Sequence, residues 1–218
     1  MNKIIVGLAI FANMAFLPVK ADPVIKEWKT LDSMGCMMLE ECTDEVRQIK
    51  SWRDLGPEYG KFSQELDSIF ASMNKLGIKF FLADDKYFLG LTRGLYSVNS
   101  NNIFANKKYI TNTRIMLQII RHEGWHAVQD CMAGTIENTY TAIVYPTSTI
   151  PDWIVRGANR TYMKSVAIFE AEAMAAMYAD TTTKDGLAVC ASDTPMWEVY
   201  PPTPLTTKWL VREGYITK

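Results

Sequence analysis

Histidine is nearly absent from this chain: among 218 residues there are two, His122 and His126. A metal centre built from three imidazoles is thereby excluded. An excess of either charge is also missing, since 23 Lys and Arg stand against 24 Asp and Glu for a net charge of −1. With both signs interspersed there is no basic stripe for nucleic acid and no acidic tail, so electrostatics names no partner. Repeats, low-complexity stretches and Pro-, Gly- or Ser-rich linkers are lacking too, which leaves no mark of a domain boundary. Beyond the N-terminus no apolar run reaches the roughly 20 residues that a membrane-spanning helix requires.

What the N-terminus does contain is a basic start at Lys3, a mostly apolar run from Ile4 to Leu17, and a small residue, Ala21, at the end of Val19-Lys20-Ala21. This is the pattern of a signal peptide over residues 1–21. Asn13, Pro18 and Lys20 cut the run too short for an anchor. The expectation is an exported protein, periplasmic or secreted, with no stable membrane insertion after cleavage and a single domain over residues 22–218. Four cysteines, Cys36, Cys42, Cys131 and Cys190, fall within that domain, an even number that an oxidising compartment lets pair. If Cys36 and Cys42 share a helix, six positions separate them by about 9 Å along its axis, too far to bond to each other. Each then pairs with Cys131 or Cys190, and four buried free thiols are the alternative.

Hydrophobic spacing predicts the elements. Met38, Leu39, Cys42, Val46 and Ile49 suggest an amphipathic helix over residues 37–52, and Phe62, Leu66, Ile69, Phe70 and Met73 another over 59–75, stopped by Gly77. Ile78 to Leu82, Leu95 to Val98 and Asn102 to Ala105 read as strands, the last two joined by an Asn99-Ser100-Asn101 turn, which makes a small, mostly antiparallel sheet. A helix capped by Thr111 or Thr113 carries Ile115, Met116, Ile119, Ile120, Ala127 and Val128 and stops at Gly134. A further helix is expected over residues 161–180, with Val166, Ala167, Phe169, Ala173, Met174 and Met177. The fold class is therefore α+β.

Both histidines occupy one five-residue word, His122-Glu123-Gly124-Trp125-His126. In a helix that spacing sets the two imidazoles one turn apart on one face, able to share a metal, with Glu123 in the adjacent sector. Since no third histidine exists, the remaining protein ligand is a carboxylate or a cysteine. A zinc ion so held keeps a position for water and lowers its pKa, and Glu123 is placed to act as general base. Gln129 and Asp130, about one turn beyond His126, are candidates to accept its second ring N–H. For the third ligand, Glu170 and Glu172 lie about 200° apart on the later helix, both flanked by apolar residues. Periodicity does not choose between them, although a carboxylate on a packed face needs a partner.

The HExxH word followed by a Glu-bearing helix some forty residues later resembles the gluzincin branch of the zincin metallopeptidases. In several such families the glutamate ligand opens a Glu-x-x-Ala pattern, which Glu170-Ala171-Glu172-Ala173 matches with Glu170 in the ligand place, leaving Glu172 as the alternate. Met174 departs from the acidic or amide residue often found there. The resemblance implies a zincin-like domain whose small sheet packs on the active-site helix, holding one Zn2+ through His122, His126 and Glu170. It implies a peptide or protein substrate bound in extended form along an edge strand, here Asn102 to Ala105. It also implies an oxyanion-stabilising side chain, for which Tyr140, Tyr145, Tyr162 and Arg160 are candidates. Trp125 reads as core packing. The rival reading is an exported zinc-binding or zincin-derived binding protein without turnover, and a third is a helix whose histidines merely pack. The sequon Asn159-Arg160-Thr161 matters only where the secretory route glycosylates.

Overall fold

The structure, a computed structural model, describes residues 46–217 with the exception of residue 89. The signal peptide over residues 1–21, Cys36, Cys42 and most of the helix expected over 37–52 lie outside the described residues.

The described residues form an α+β fold of a four-stranded mixed sheet and seven helices. Strands β1 (Val46–Ile49), β2 (Lys79–Ala83), β3 (Gly94–Ser97) and β4 (Asn102–Asn106) lie in the order β1-β2-β4-β3. β1 pairs antiparallel with β2 and β3 antiparallel with β4, whereas β2 and β4 run parallel, Phe80 opposite Ile103. Two of three pairings are thus antiparallel. The chain passes through β3 before β4, and this lets two strands of one direction become neighbours.

β1 corrects the helix expected up to residue 52. Val46 and Ile49 are three apart, a helical spacing, but in an extended strand an odd separation sends side chains to opposite faces. Ile49 enters the main core with Phe80, Leu82, Tyr96, Ile103 and Ala105, while Val46 joins Phe81, Ala83 and Phe104 on the reverse face. Both ends are apolar because both faces are covered.

Helix α1 (Ser63–Lys75) buries Leu66, Ile69, Phe70 and Met73 as their spacing requires, and the chain leaves it through Gly77 at φ +72°. Its expected first turn is instead a 3-10 segment, Pro57–Phe62, opened by Pro57. The long central helix α2 (Thr113–Met132) packs against β3 and β4. Its cap is Asn112, whose side chain accepts from the Ile115 N–H at 3.1 Å, rather than Thr111 or Thr113. Buried Arg121 fastens α2 to α1 through a two-pronged contact, Nε and Nη2 each 2.7 Å from the Glu65 carboxylate.

The helix expected over residues 161–180 is shortened to α4 (Ala167–Tyr178), and a separate helix that the spacing did not indicate, α3 (Asp152–Thr161), ends where it was expected to begin. Extended backbone at Tyr162 (φ −116°, ψ 159°) separates them. α5 (Thr182–Cys190) crosses α1 and α2, and α6 (Met196–Val199) and α7 (Pro204–Arg212) complete the chain. Close approach of α5 to α2 requires Gly186, where a Cβ would lie 2.9 Å from the Trp125 ring and from Val128. At the end of this contact Cys131 and Cys190 form a disulfide, Cα atoms 5.9 Å apart. This corrects the expectation that each pairs with Cys36 or Cys42, for the packing of α2 on α5 brings their last turns together. Among the described residues no helix is long and apolar enough to cross a membrane.

Candidate metal centre

Because α2 is helical throughout the HExxH word, the His122 and His126 rings converge, with their Nε2 atoms 3.2 Å apart. α4 packs beside α2 and delivers Glu170 to the same point: its carboxylate oxygens lie 3.3 Å from His122 Nε2 and 3.7 Å from His126 Nε2. These three residues could hold a metal ion. Ligand atoms about 2.0–2.1 Å from a tetrahedral metal stand roughly 3.3 Å apart, so the observed spacings fit such a centre.

Hydrogen bonding prepares one imidazole for that role. Gln129 Nε2 donates to the Phe169 carbonyl at 3.0 Å and to Glu172 Oε2 at 2.8 Å, which leaves Gln129 Oε1 as the atom facing His126 Nδ1 at 2.8 Å. A carbonyl oxygen can only accept, so Nδ1 carries the proton and the His126 Nε2 lone pair points into the cluster. His122 is steadied by donation to the Ala173 backbone.

Of the two carboxylates on α4, Glu172 turns away from the cluster. It accepts from Gln129, from the Val144 N–H at 3.0 Å and from the Tyr145 N–H. Burial pushes its carboxyl up and these donors oppose the rise. Glu170 is held below the ordinary carboxylate range: burial acts against this, but His126, His122 and the Tyr162 hydroxyl outweigh it. Burial drives His126 down to about 4, whereas His122 is raised because Glu170 and Glu123 outweigh its desolvation.

Glu123 is buried beside the cluster without belonging to it, and it accepts a hydrogen bond from the Tyr96 backbone on β3. Burial pushes its carboxyl up to about 7, with His122 opposing and Glu170 adding. The space it occupies depends on Gly94. A Cβ there would lie 2.7 Å from Glu123 Oε1 and 2.8 Å from Ile119 Cγ2. Neither Gly94 nor Tyr96 stands out in the sequence, since one contributes a missing side chain and the other a backbone N–H. A glycine opening a strand is the only signal there.

Asp130 does not reach His126. Its Oδ2 accepts from the Tyr96 hydroxyl at 2.7 Å, and burial pushes its carboxyl up to about 8. Among the oxyanion candidates only Tyr162 reaches the cluster, bonded to Glu170 from the break between α3 and α4. The Tyr145 ring stacks on Trp125 and the Tyr140 ring packs on Trp209, while Arg160 is exposed at the end of α3. Fully buried Trp125 is core. β4 is an inner strand between β2 and β3, which corrects its reading as the edge; the outer strand beside α2 is β3. In the sequon, Asn159 Nδ2 is bonded within its helix to the Val155 carbonyl at 2.8 Å.

Comparison with protein-family models, curated proteins and solved structures finds no match to this chain.

Proposed function

We propose that the protein is an exported zinc-dependent hydrolase, a peptidase of gluzincin-like design, in which His122, His126 and Glu170 hold one Zn2+ and Glu123 is the general base. The observation that carries this reading is the convergence of two imidazole nitrogens and one carboxylate with a fourth group, Glu123, buried alongside and free of a ligand's place. A donor set of two nitrogens and one oxygen suits zinc and leaves a position for water. Zinc, when bound, lowers the pKa of such a water and polarises a carbonyl.

The chain's own groups supply the remainder. Glu123, oriented by the Tyr96 N–H, accepts the proton that water loses as its oxygen bonds to the substrate carbonyl carbon, and returns a proton to the leaving nitrogen as the C–N bond breaks. The Tyr162 hydroxyl gives its one proton to Glu170 and so orients that carboxylate towards the imidazoles. An extended peptide adds to the outer side of β3, which pairs with no further strand among the described residues and is the strand nearest the base. The Cys131–Cys190 disulfide supports an oxidising, exported setting.

The test is metal analysis of purified protein after reconstitution near neutral pH, with hydrolysis of an unfolded protein substrate by wild type and Glu123→Gln. One zinc per chain in both forms is expected, with activity reduced on the order of 10²–10⁴-fold in the variant. Absence of zinc sinks the metal reading; equal activity in the two forms sinks the role of Glu123.

A further inference from the structure

We propose that Glu172 is a positioning residue for the metal centre, acting through Gln129 to fix the tautomer of His126; this rests on reading His126 as a ligand. Glu172 is 1% exposed, and the groups bonded to it are all donors: Gln129 Nε2, the Val144 N–H and the Tyr145 N–H. Such surroundings match an ionised carboxylate, which only accepts. The Gln129 amide is consequently gripped from both sides. Its NH2 is spent on Glu172 Oε2 and the Phe169 carbonyl, and its oxygen is left for the His126 Nδ1–H. A reversed amide would put oxygen against a carboxylate and a carbonyl and would offer N–H to Nδ1. That reversal moves the imidazole proton to Nε2, the atom needed for the metal.

The relay begins in the segment that follows α2. Ala142 N–H donates to the Gln129 backbone carbonyl at 2.8 Å, and Val144 and Tyr145 hold Glu172, so this segment, α2 and α4 are joined at a single buried point. Anchoring the segment is the competing, purely structural role for Glu172. The two roles differ in whether the effect passes through Gln129.

Glu172→Gln separates them. With the oxygen of the introduced amide kept by the two backbone N–H donors, its NH2 faces the NH2 of Gln129, and the Gln129 amide loses its grip. The chain's two histidines make the imidazole 15N spectrum of the metal-free protein simple to assign, and zinc affinity is measured by competition with a chelator. The expected result in Glu172→Gln is a shift of His126 from the Nδ1–H towards the Nε2–H tautomer, with zinc affinity reduced about 10- to 100-fold. Against a Gln129→Leu background the same substitution is expected to change neither quantity further. An unchanged tautomer in Glu172→Gln, or an equal loss in both backgrounds, overturns the proposal. Should Glu172→Gln fail to fold, Glu172→Asp, which keeps the charge and withdraws it from Gln129, is read in the same way. If the wild type binds no zinc, the metal reading falls separately and the tautomer decides this one.

Discussion

At the scale of single residues, α4 assigns opposite duties to two buried carboxylates only two positions apart. Glu170 looks to the imidazoles and Glu172 to backbone and amide donors. Glu170→Ala is expected to abolish zinc retention through gel filtration while the fold survives. Glu172→Ala leaves the buried N–H groups of Val144 and Tyr145 unpaired, at roughly 1–3 kcal/mol each, and is expected to lower the thermal midpoint. Zinc lost only from the Glu172 variant, with Glu170→Ala still loaded, would reverse the assignment. Gly94 allows a finer test. An alanine methyl collides first with Glu123 and Ile119, so on the proposed function Gly94→Ala is expected to retain zinc and lose about 10²-fold in kcat by displacing the proposed base. Retained kcat in this variant would show that Glu123 has room to move.

At the scale of elements, Tyr96 ties the outer strand to the helix that bears the histidines, its backbone bonded to Glu123 and its hydroxyl to Asp130. Asp130 has a folded-state pKa raised to about 8 from an ordinary 3.8. The folded protein therefore binds this proton more tightly than the unfolded chain, and stability falls as pH rises between the two values, levelling off above about 8. Asn at this position keeps an oxygen for Tyr96 and cannot ionise. Chemical denaturation at about pH 5 and about pH 8 is expected to show the wild type losing more stability across the interval than Asp130→Asn, by as much as roughly a few kcal/mol. Parallel curves for the two proteins would mean that Asp130 titrates normally. The break between α3 and α4 belongs to this scale as well, because it is the extended residue there, Tyr162, that reaches Glu170.

At the scale of the whole molecule, the Cys131–Cys190 bridge closes a 59-residue span from the end of the histidine helix to the end of α5, with Glu170 inside it. Loop-closure entropy values such a bridge at about 4 kcal/mol. Cys131→Ala with Cys190→Ala is expected to lower Tm by roughly 10 °C, while a shift under about a degree or two would mean that packing of α2 on α5 alone holds the span. The sequence by itself determined the local terms: the helical periods of α1 and α2, the strand runs, the spacing of His122, Glu123 and His126, and the exclusion of a third imidazole. These depend on contacts within a turn or two of chain, and so they are visible in spacing. Tertiary structure decided what depends on which surfaces meet. It separated Glu170 from Glu172, since both lie on packed helix faces and only the identity of the neighbour differs. It turned Val46 and Ile49 from one helix face into two faces of a strand, made β3 rather than β4 the outer strand, and paired Cys131 with Cys190. Each of these is set by elements distant in sequence, and no local pattern carries that information.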